Sequence, residues 1–442
     1  MKIKVYQTAK ETKDRISKIN ELTSSKTFKT NTPMIILNPK KTYQTHIGFG
    51  GAFTESAAYT LNLLPKEKQD EIISAYFSKE GLSYNLGRTH IHSCDFALGN
   101  YTYVAENDKE LKTFDLSHED KWVVPMIKKA LAYEPHLKLL ASPWSPPAWM
   151  KSNKNMNFGG SLLPEYYQPW ANYYVKYFEE MKKRGIDFWA LTIQNEPAAV
   201  QTWDSCIYTA EEERDFVKNY LGPTIEKSPF DLKILGWDHN RDIIVERAST
   251  MLLDPKANQY LWGIASHWYV SEQFENLSIV HEMFPDKHLV FTEGCIEGGP
   301  KPHAWHTGER YARNIIGDLN NHLEGFIDWN LILNEEGGPN HVKNYCDAPI
   351  LVDRNTLSII YNSSYYYIGH FSKFIKPEAK RIHAQSNLPA KVYQVSYINP
   401  NNEIILVIQN ESDESKDVTI VLNQQGQTIP LLPHSIVTCI IS

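Results

Sequence analysis

Between residues 46 and 334 the chain alternates two hydrophobic patterns. Short apolar runs of strand length, each ending on polar or aromatic residues, are followed by longer stretches with apolar positions at helical spacing. The first run, His46–Phe53, carries Gly48, Gly50 and Gly51, which predicts close backbone approach or a tight bend rather than a dinucleotide fingerprint. The others are Tyr84–His92, Leu137–Trp144, Phe188–Glu196, Leu232–Asp238, Trp262–Tyr269, His288–Gly294 and Phe326–Asn334. Between them the pattern predicts a helix over Pro65–Glu80, with Ile72, Ile73, Tyr76 and Phe77 on one face and Gly81 as its stop. Others are predicted over Glu165–Lys183, from the capping box Thr209-x-x-Glu212 through Tyr220, over Asp242–Leu253 and over Glu309–Leu319. Eight strands, mostly separated by helices and nearly all followed by functional-looking residues, predict an α/β fold, a (β/α)8 TIM barrel with its chemistry on the C-terminal rim. An open doubly wound sheet fits less well, because it gathers such residues at one switch point.

The pattern changes at both ends. After Pro377 the segments Val392–Ile398, Glu403–Gln409, Asp417–Leu422 and Ile436–Ile441 are β-rich with no helical period, and Asn399-Pro400-Asn401-Asn402 joins the first two. They predict an antiparallel β-sandwich too small to make two full sheets. The short strand-like runs Ile3–Tyr6 and Met34–Leu37 are expected to complete it. The expected domains are therefore residues 1–45, joining the sandwich; 46–375, the barrel; and 376–442, the C-terminal sandwich.

Composition narrows the classes. The 442 residues are 42% hydrophobic and 22% charged, an ordinary soluble balance with room for a large core. The net charge of −7 is spread along the chain, and no basic stripe points to nucleic acid. The 11 Trp and 25 Tyr suit sugar stacking but equally fill a large core. No apolar run is long enough for an integral membrane segment. The N-terminus MKIKVYQTAKETKD has no apolar core of a signal peptide, so a cytoplasmic location is expected. The five cysteines are scattered and odd in number, which predicts free thiols. Oligomeric state is not readable.

Two strands share one design. Ala190–Ile193 leads into Gln194-Asn195-Glu196-Pro197, and Leu289–Phe291 into Thr292-Glu293-Gly294. A lone carboxylate at a strand end is ordinarily just solvated. Here the two lie 97 residues apart, room for about three strand-plus-helix units of ~30 residues. In a parallel barrel that spacing sets them across the mouth from each other, as a pair able to flank one bond. Carboxyl groups ~5–5.5 Å apart are the equipment of retaining glycoside hydrolysis. A rival reading is a metal-dependent barrel hydrolase, with His90 and His92 on one strand face joined by His267 and Asp238. It leaves both glutamates without a role. A sugar-binding module without turnover is a third reading, and the intact Asn195-Glu196 and Glu293 speak against it.

The stretches GFGGAFTES (48–56), RTHIHSCDFALGNYTY (88–103), ASPWSPPAWMKSN (141–153), QNEP (194–197), SHWY (266–269), FTEG (291–294) and DWNLILNEEGGPN (328–340) together resemble family 30 of the glycoside hydrolases, closest to its glucosylceramidase-like branch. The resemblance implies that Glu196 is the acid/base and Glu293 the nucleophile. It implies that Asn195 bonds the sugar 2-OH, that Arg88 and Asp95 orient the pocket and grip hydroxyls, and that Trp144 and Trp329 line it. Tyr269 is implied to contact the nucleophile; His267 and Asn344 complete the expected substrate-binding set. The chemistry requires Glu196 to hold a proton, so its pKa is expected to be raised by burial and by the charge of Glu293, which must itself be ionised. The expected substrate is a β-glycoside with terminal glucose; a β-xyloside or a β-1,6-glucan is the alternative. No metal or other cofactor is implied.

Overall fold

The computed structural model describes residues 1–442. Eight parallel strands close into a barrel in chain order: Gly48–Ala52, Leu86–Ile91, Lys138–Pro143, Ala190–Thr192, Lys233–Asn240, Leu261–His267, His288–Glu293 and Gly325–Asn330. Leu86, Leu140, Ala190, Leu235, Ala265, Val290 and Ile327, one from each of seven strands, pack together inside, so the barrel is filled rather than hollow. The glycines of the first strand serve the close approach expected of them: a Cβ on Gly50 would sit 2.0 Å from the Leu86 carbonyl oxygen. Three strand pairings lose register near the rim, between Trp237 and His239, between Phe291 and Glu293, and between Ile327 and Asn330. Such irregularities re-aim side chains where a ladder ends.

The helices follow the predicted faces with shifted ends. The first long one is Lys66–Phe77, with Pro65 as its N-cap and Ser78 already extended at ψ 160°, so it stops short of Glu80. The capping box at Thr209 and Glu212 forms both of its hydrogen bonds. Its helix runs past Tyr220, through a π-helical turn Val217–Leu221 and on to Glu226, with Pro223 just beyond that turn. The last predicted barrel run divides. Ile332–Asn334 leaves the barrel and pairs with Ile350–Val352, itself paired with Ile359–Tyr361.

The remaining strands form one nine-stranded sheet, in the order Gln425–Leu431, Lys416–Leu422, Met34–Thr45, Lys380–Ser386, Val392–Ile398, Ile404–Asn410, Ser435–Ile441, Lys2–Ala9, Ser17–Thr23. The N-terminal strands are thus built into it, around a core that includes Ile3, Val5, Ile35, Leu406 and Cys439. All pairings are antiparallel except that of Lys416–Leu422 with Met34–Thr45. Both edge strands escaped the sequence pattern. Ser17–Thr23 is largely exposed and polar, and Gln425–Leu431 holds Gly426 and Pro430, which an edge tolerates. His370 ties the barrel to this sheet, its ring nitrogens 2.8 Å from Thr438 Oγ1 and 2.9 Å from Thr8 Oγ1.

Candidate active site

The fourth and seventh strands deliver Glu196 and Glu293 to one cavity of about 300 Å³ at the C-terminal mouth. One carboxylate oxygen from each, with a ring nitrogen of His267, lies within 4.8 Å of the others. Six further expected residues line the same cavity: Asp95, Trp144, Asn195, Tyr269, Trp329 and Asn344. Arg88 and His267 do not. Both are fully buried behind the carboxylates, so the substrate contact expected of them is replaced by contact with the acids themselves.

Arg88 is the hub. Its guanidinium donates to Glu293 Oε2 at 2.5 Å, to Asn195 Oδ1 and Asp238 Oδ2 at 2.8 Å each, and to Ser142 Oγ at 3.1 Å. The Trp144 and Trp329 rings, stacked at 5.1 Å, lie 4.8 and 5.5 Å from its Cζ. Burial opposes its charge, but Asp238 and Glu293 more than compensate and raise its pKa. Asp238 also accepts from the hydroxyls of Thr192 and Thr292, at 2.6 Å each. Burial works against that carboxylate too; Arg88 and His267 outweigh it and hold it well below the ordinary range.

The two glutamates sit in unlike surroundings. Glu293 Oε1 accepts from the Tyr269 hydroxyl at 2.8 Å, while Arg88 holds Oε2. Burial raises its pKa, with His267 and Arg88 pulling the other way. Glu196 lies at φ 48°, in the left-handed region, its backbone N–H donating to the Asp238 carbonyl at 3.0 Å. Its Oε1 is 3.3 Å from His267 Nδ1 and 3.9 Å from His239 Nε2. Burial again opposes the charge, but the two imidazoles win and its pKa is lowered. The expectation that Glu196 is raised is therefore overturned: the sequence pattern did not show that two imidazoles would face it. His267 is pushed up to about 9; burial disfavours its charge, and Glu293, Asp238 and Glu196 overcome that. Its Nε2–H donates to Asp238 Oδ1 at 3.0 Å.

Asp95 is pushed up to about 7 by burial, against the amides of Asn344 and Asn340, which donate to its Oδ2 at 3.0 and 3.2 Å. The histidines of the metal reading are engaged elsewhere. His90 Nε2 accepts from the Glu55 backbone N–H at 2.9 Å, and His92 Nδ1 lies 2.9 Å from the Tyr173 hydroxyl. The Glu196–His267–Glu293 group is compact enough to attract a cation, but Arg88 and the charged His267 already supply positive charge there. His239 is a functional-looking residue that the sequence reading missed, and Asp238 entered it only as a candidate metal ligand. Their signal was present in the polar end of the fifth strand, Trp237-Asp238-His239-Asn240.

Residues 47–375 match the Glycosyl hydrolase family 30 TIM-barrel domain and residues 378–439 the Glycosyl hydrolase family 30 beta sandwich domain. Lysosomal acid glucosylceramidase of Mus musculus is 36% identical over 406 residues, covering 88% of this chain and 79% of that protein. The crystal structure of SrfJ from Salmonella typhimurium superposes with a TM-score of 0.95 at 35% identity, over 100% of this chain and 99% of that one. A solved endo-beta1,6-glucanase superposes at 0.90 with 30% identity, over 100% of both chains.

Proposed function

The chain belongs to glycosyl hydrolase family 30, and from that premise we propose that it is a retaining exo-β-glucosidase. The carboxylate spacing carries this reading. One oxygen of each carboxylate lies within 4.8 Å of the other, which suits a nucleophile reaching the anomeric carbon directly, as in retaining pairs whose carboxyl groups stand ~5–5.5 Å apart. Glu293 attacks the anomeric carbon while Glu196 protonates the departing oxygen. Water, deprotonated by Glu196, then releases the sugar from Glu293. Arg88 and Tyr269 keep Glu293 anionic and aimed, and Asn195, steered by Arg88, takes the sugar 2-OH.

The size of the cavity supports the exo reading, since about 300 Å³ is at the small end of ligand pockets, which run from ~300 Å³ upward. Asp95, with Oδ2 held by two amides, offers Oδ1 to the hydroxyls of a terminal sugar. Apolar side chains stand at and near the mouth. Val270 lines the cavity, and exposed Phe158 and Val200 flank the pocket residue Gln201, whose carbonyl accepts from the Phe158 N–H at 2.8 Å. With the named activity of the mouse relative, this favours a β-glucoside bearing an apolar aglycone. The solved endo-beta1,6-glucanase motivates the second reading, a β-1,6-glucan substrate.

The test is a panel of aryl β-glycosides of glucose, xylose, fucose and galactose, with a long-chain alkyl β-glucoside and a β-1,6-glucan. Preference for the glucosides, with β-glucose as the first-formed anomer by proton NMR, is expected. Internal cleavage of the glucan as the dominant activity overturns the exo reading, and an α-anomer overturns retention.

A further inference from the structure

His239 stands at the rim end of the fifth strand, just past the register shift at Trp237 and beside Asp238, whose φ is 53°. It lines the catalytic cavity, is only 8% exposed, and stacks at a tilt on Trp237 with ring centroids 4.9 Å apart. Its Nδ1 is buried without a hydrogen-bond partner, and its Nε2 lies 3.9 Å from Glu196 Oε1. An imidazole left unsatisfied in a buried position carries a free-energy cost. Its neighbour His267 differs: both ring nitrogens face acids, Asp238 and Glu196, so its proton is fixed in place.

We propose that the proton delivered to the leaving group is held jointly by Glu196 and His239. His239 is a positioning residue in this scheme, acting through Glu196, and the inference rests on the retaining reading above. Before bond cleavage the proton passes from His239 Nε2 to Glu196 Oε1. Glu196 then gives it to the glycosidic oxygen as the bond to the anomeric carbon breaks and Glu293 bonds to that carbon. This leaves Glu196 anionic and His239 neutral. In the second half, water gives one proton to Glu196 and bonds to the anomeric carbon as its hydroxyl while the bond from that carbon to Glu293 breaks, which frees the Glu293 carboxylate and returns the pair to one proton.

The groups facing Glu196 are His239 and Asp238 from the fifth strand, His267 and Tyr269 from the sixth, and Glu293 from the seventh; Asp242 also acts on His239. Burial depresses the His239 pKa below the ordinary imidazole value, with Glu196 opposing. With the proton held by the pair, the lowered pKa of Glu196 no longer conflicts with its role as acid.

The test compares pH profiles of kcat/KM for wild type, His239→Asn and His239→Gln on an alkyl β-glucoside and on a dinitrophenyl β-glucoside. On the alkyl substrate both variants should move the alkaline limb toward acid by roughly half a unit to one unit, because the basicity of the pair falls to that of Glu196 alone. The acid limb should stay. The dinitrophenyl profile should barely change, since that group leaves without a proton. His239→Asn added to Glu196→Gln should slow the enzyme no further. An unmoved alkaline limb overturns the proposal, and so does an alkaline shift, which would make His239 a fixed positive charge only. If Glu196→Gln itself keeps wild-type rates on the alkyl substrate, Glu196 is not the acid, and the functional reading has failed and this inference with it.

Discussion

The rim ends of the fourth and seventh strands are near twins in sequence and opposites in structure. Each is an apolar run closed by a polar residue and a glutamate. At the seventh strand the carboxylate meets donors that do not titrate near neutrality, the Arg88 guanidinium and the Tyr269 hydroxyl. At the fourth it meets two imidazoles, His267, pushed up to about 9, and His239, lowered by burial. Fixed donors hold an anion ready to attack, whereas titratable neighbours let a proton come and go. The difference teaches that the role of a carboxylate is assigned by what adjacent strands bring to it, not by its own strand.

Exchanging or emptying the two ends breaks this contrast most sharply. Glu293→Ala should lower hydrolysis more than ~10⁴-fold, and azide should restore turnover with an inverted glycosyl azide as product. Near-wild-type rates would remove Glu293 from its role. Glu196→Ala should cost ~10²–10⁴-fold on an alkyl glucoside but far less on a dinitrophenyl glucoside. Equal losses on both would show that the two ends do not divide the work. Arg88→Met strands two buried carboxylates, Glu293 and Asp238, and should destabilise the fold by about 3–5 kcal/mol in denaturant titration. An unchanged midpoint would mean the hub is dispensable. Tyr269→Phe removes one donor to a charged group and should cost about 10- to 100-fold in kcat/KM. The smallest effect is on stability against pH. The pKa of His267 is raised to about 9 in the fold, so its contribution is full below the unfolded value of ~6.5 and is lost as pH rises through 9. Denaturant midpoints should therefore fall across that window in wild type, and more steeply than in His267→Asn.

The barrel was legible because its cause is local. A strand buried on both faces must be apolar, and its end at the rim must be polar, so eight such runs separated by helical faces announce the architecture. The edge strands of the nine-stranded sheet were not legible for the same reason in reverse: Ser17–Thr23 buries little, and its pairing with Lys2–Ala9 rests on backbone hydrogen bonds that no side-chain pattern records. The split of the last run at Leu331 was hidden because Ile332–Asn334 is as buried as the barrel strand before it.

By itself the sequence determined the barrel and the pairing of Glu196 with Glu293, since spacing along a closed parallel barrel converts directly into position around it; the other residues expected at the mouth came from the family resemblance. Only the tertiary structure decided that Arg88 and His267 lie behind the acids rather than in the cavity, and that His239 faces Glu196. Those placements depend on register shifts and on left-handed backbone at Glu196, Trp237 and Asp238, which turn side chains by amounts that hydrophobic period does not encode. The charge state of each carboxylate is set across strands, by groups brought together only when the barrel closes.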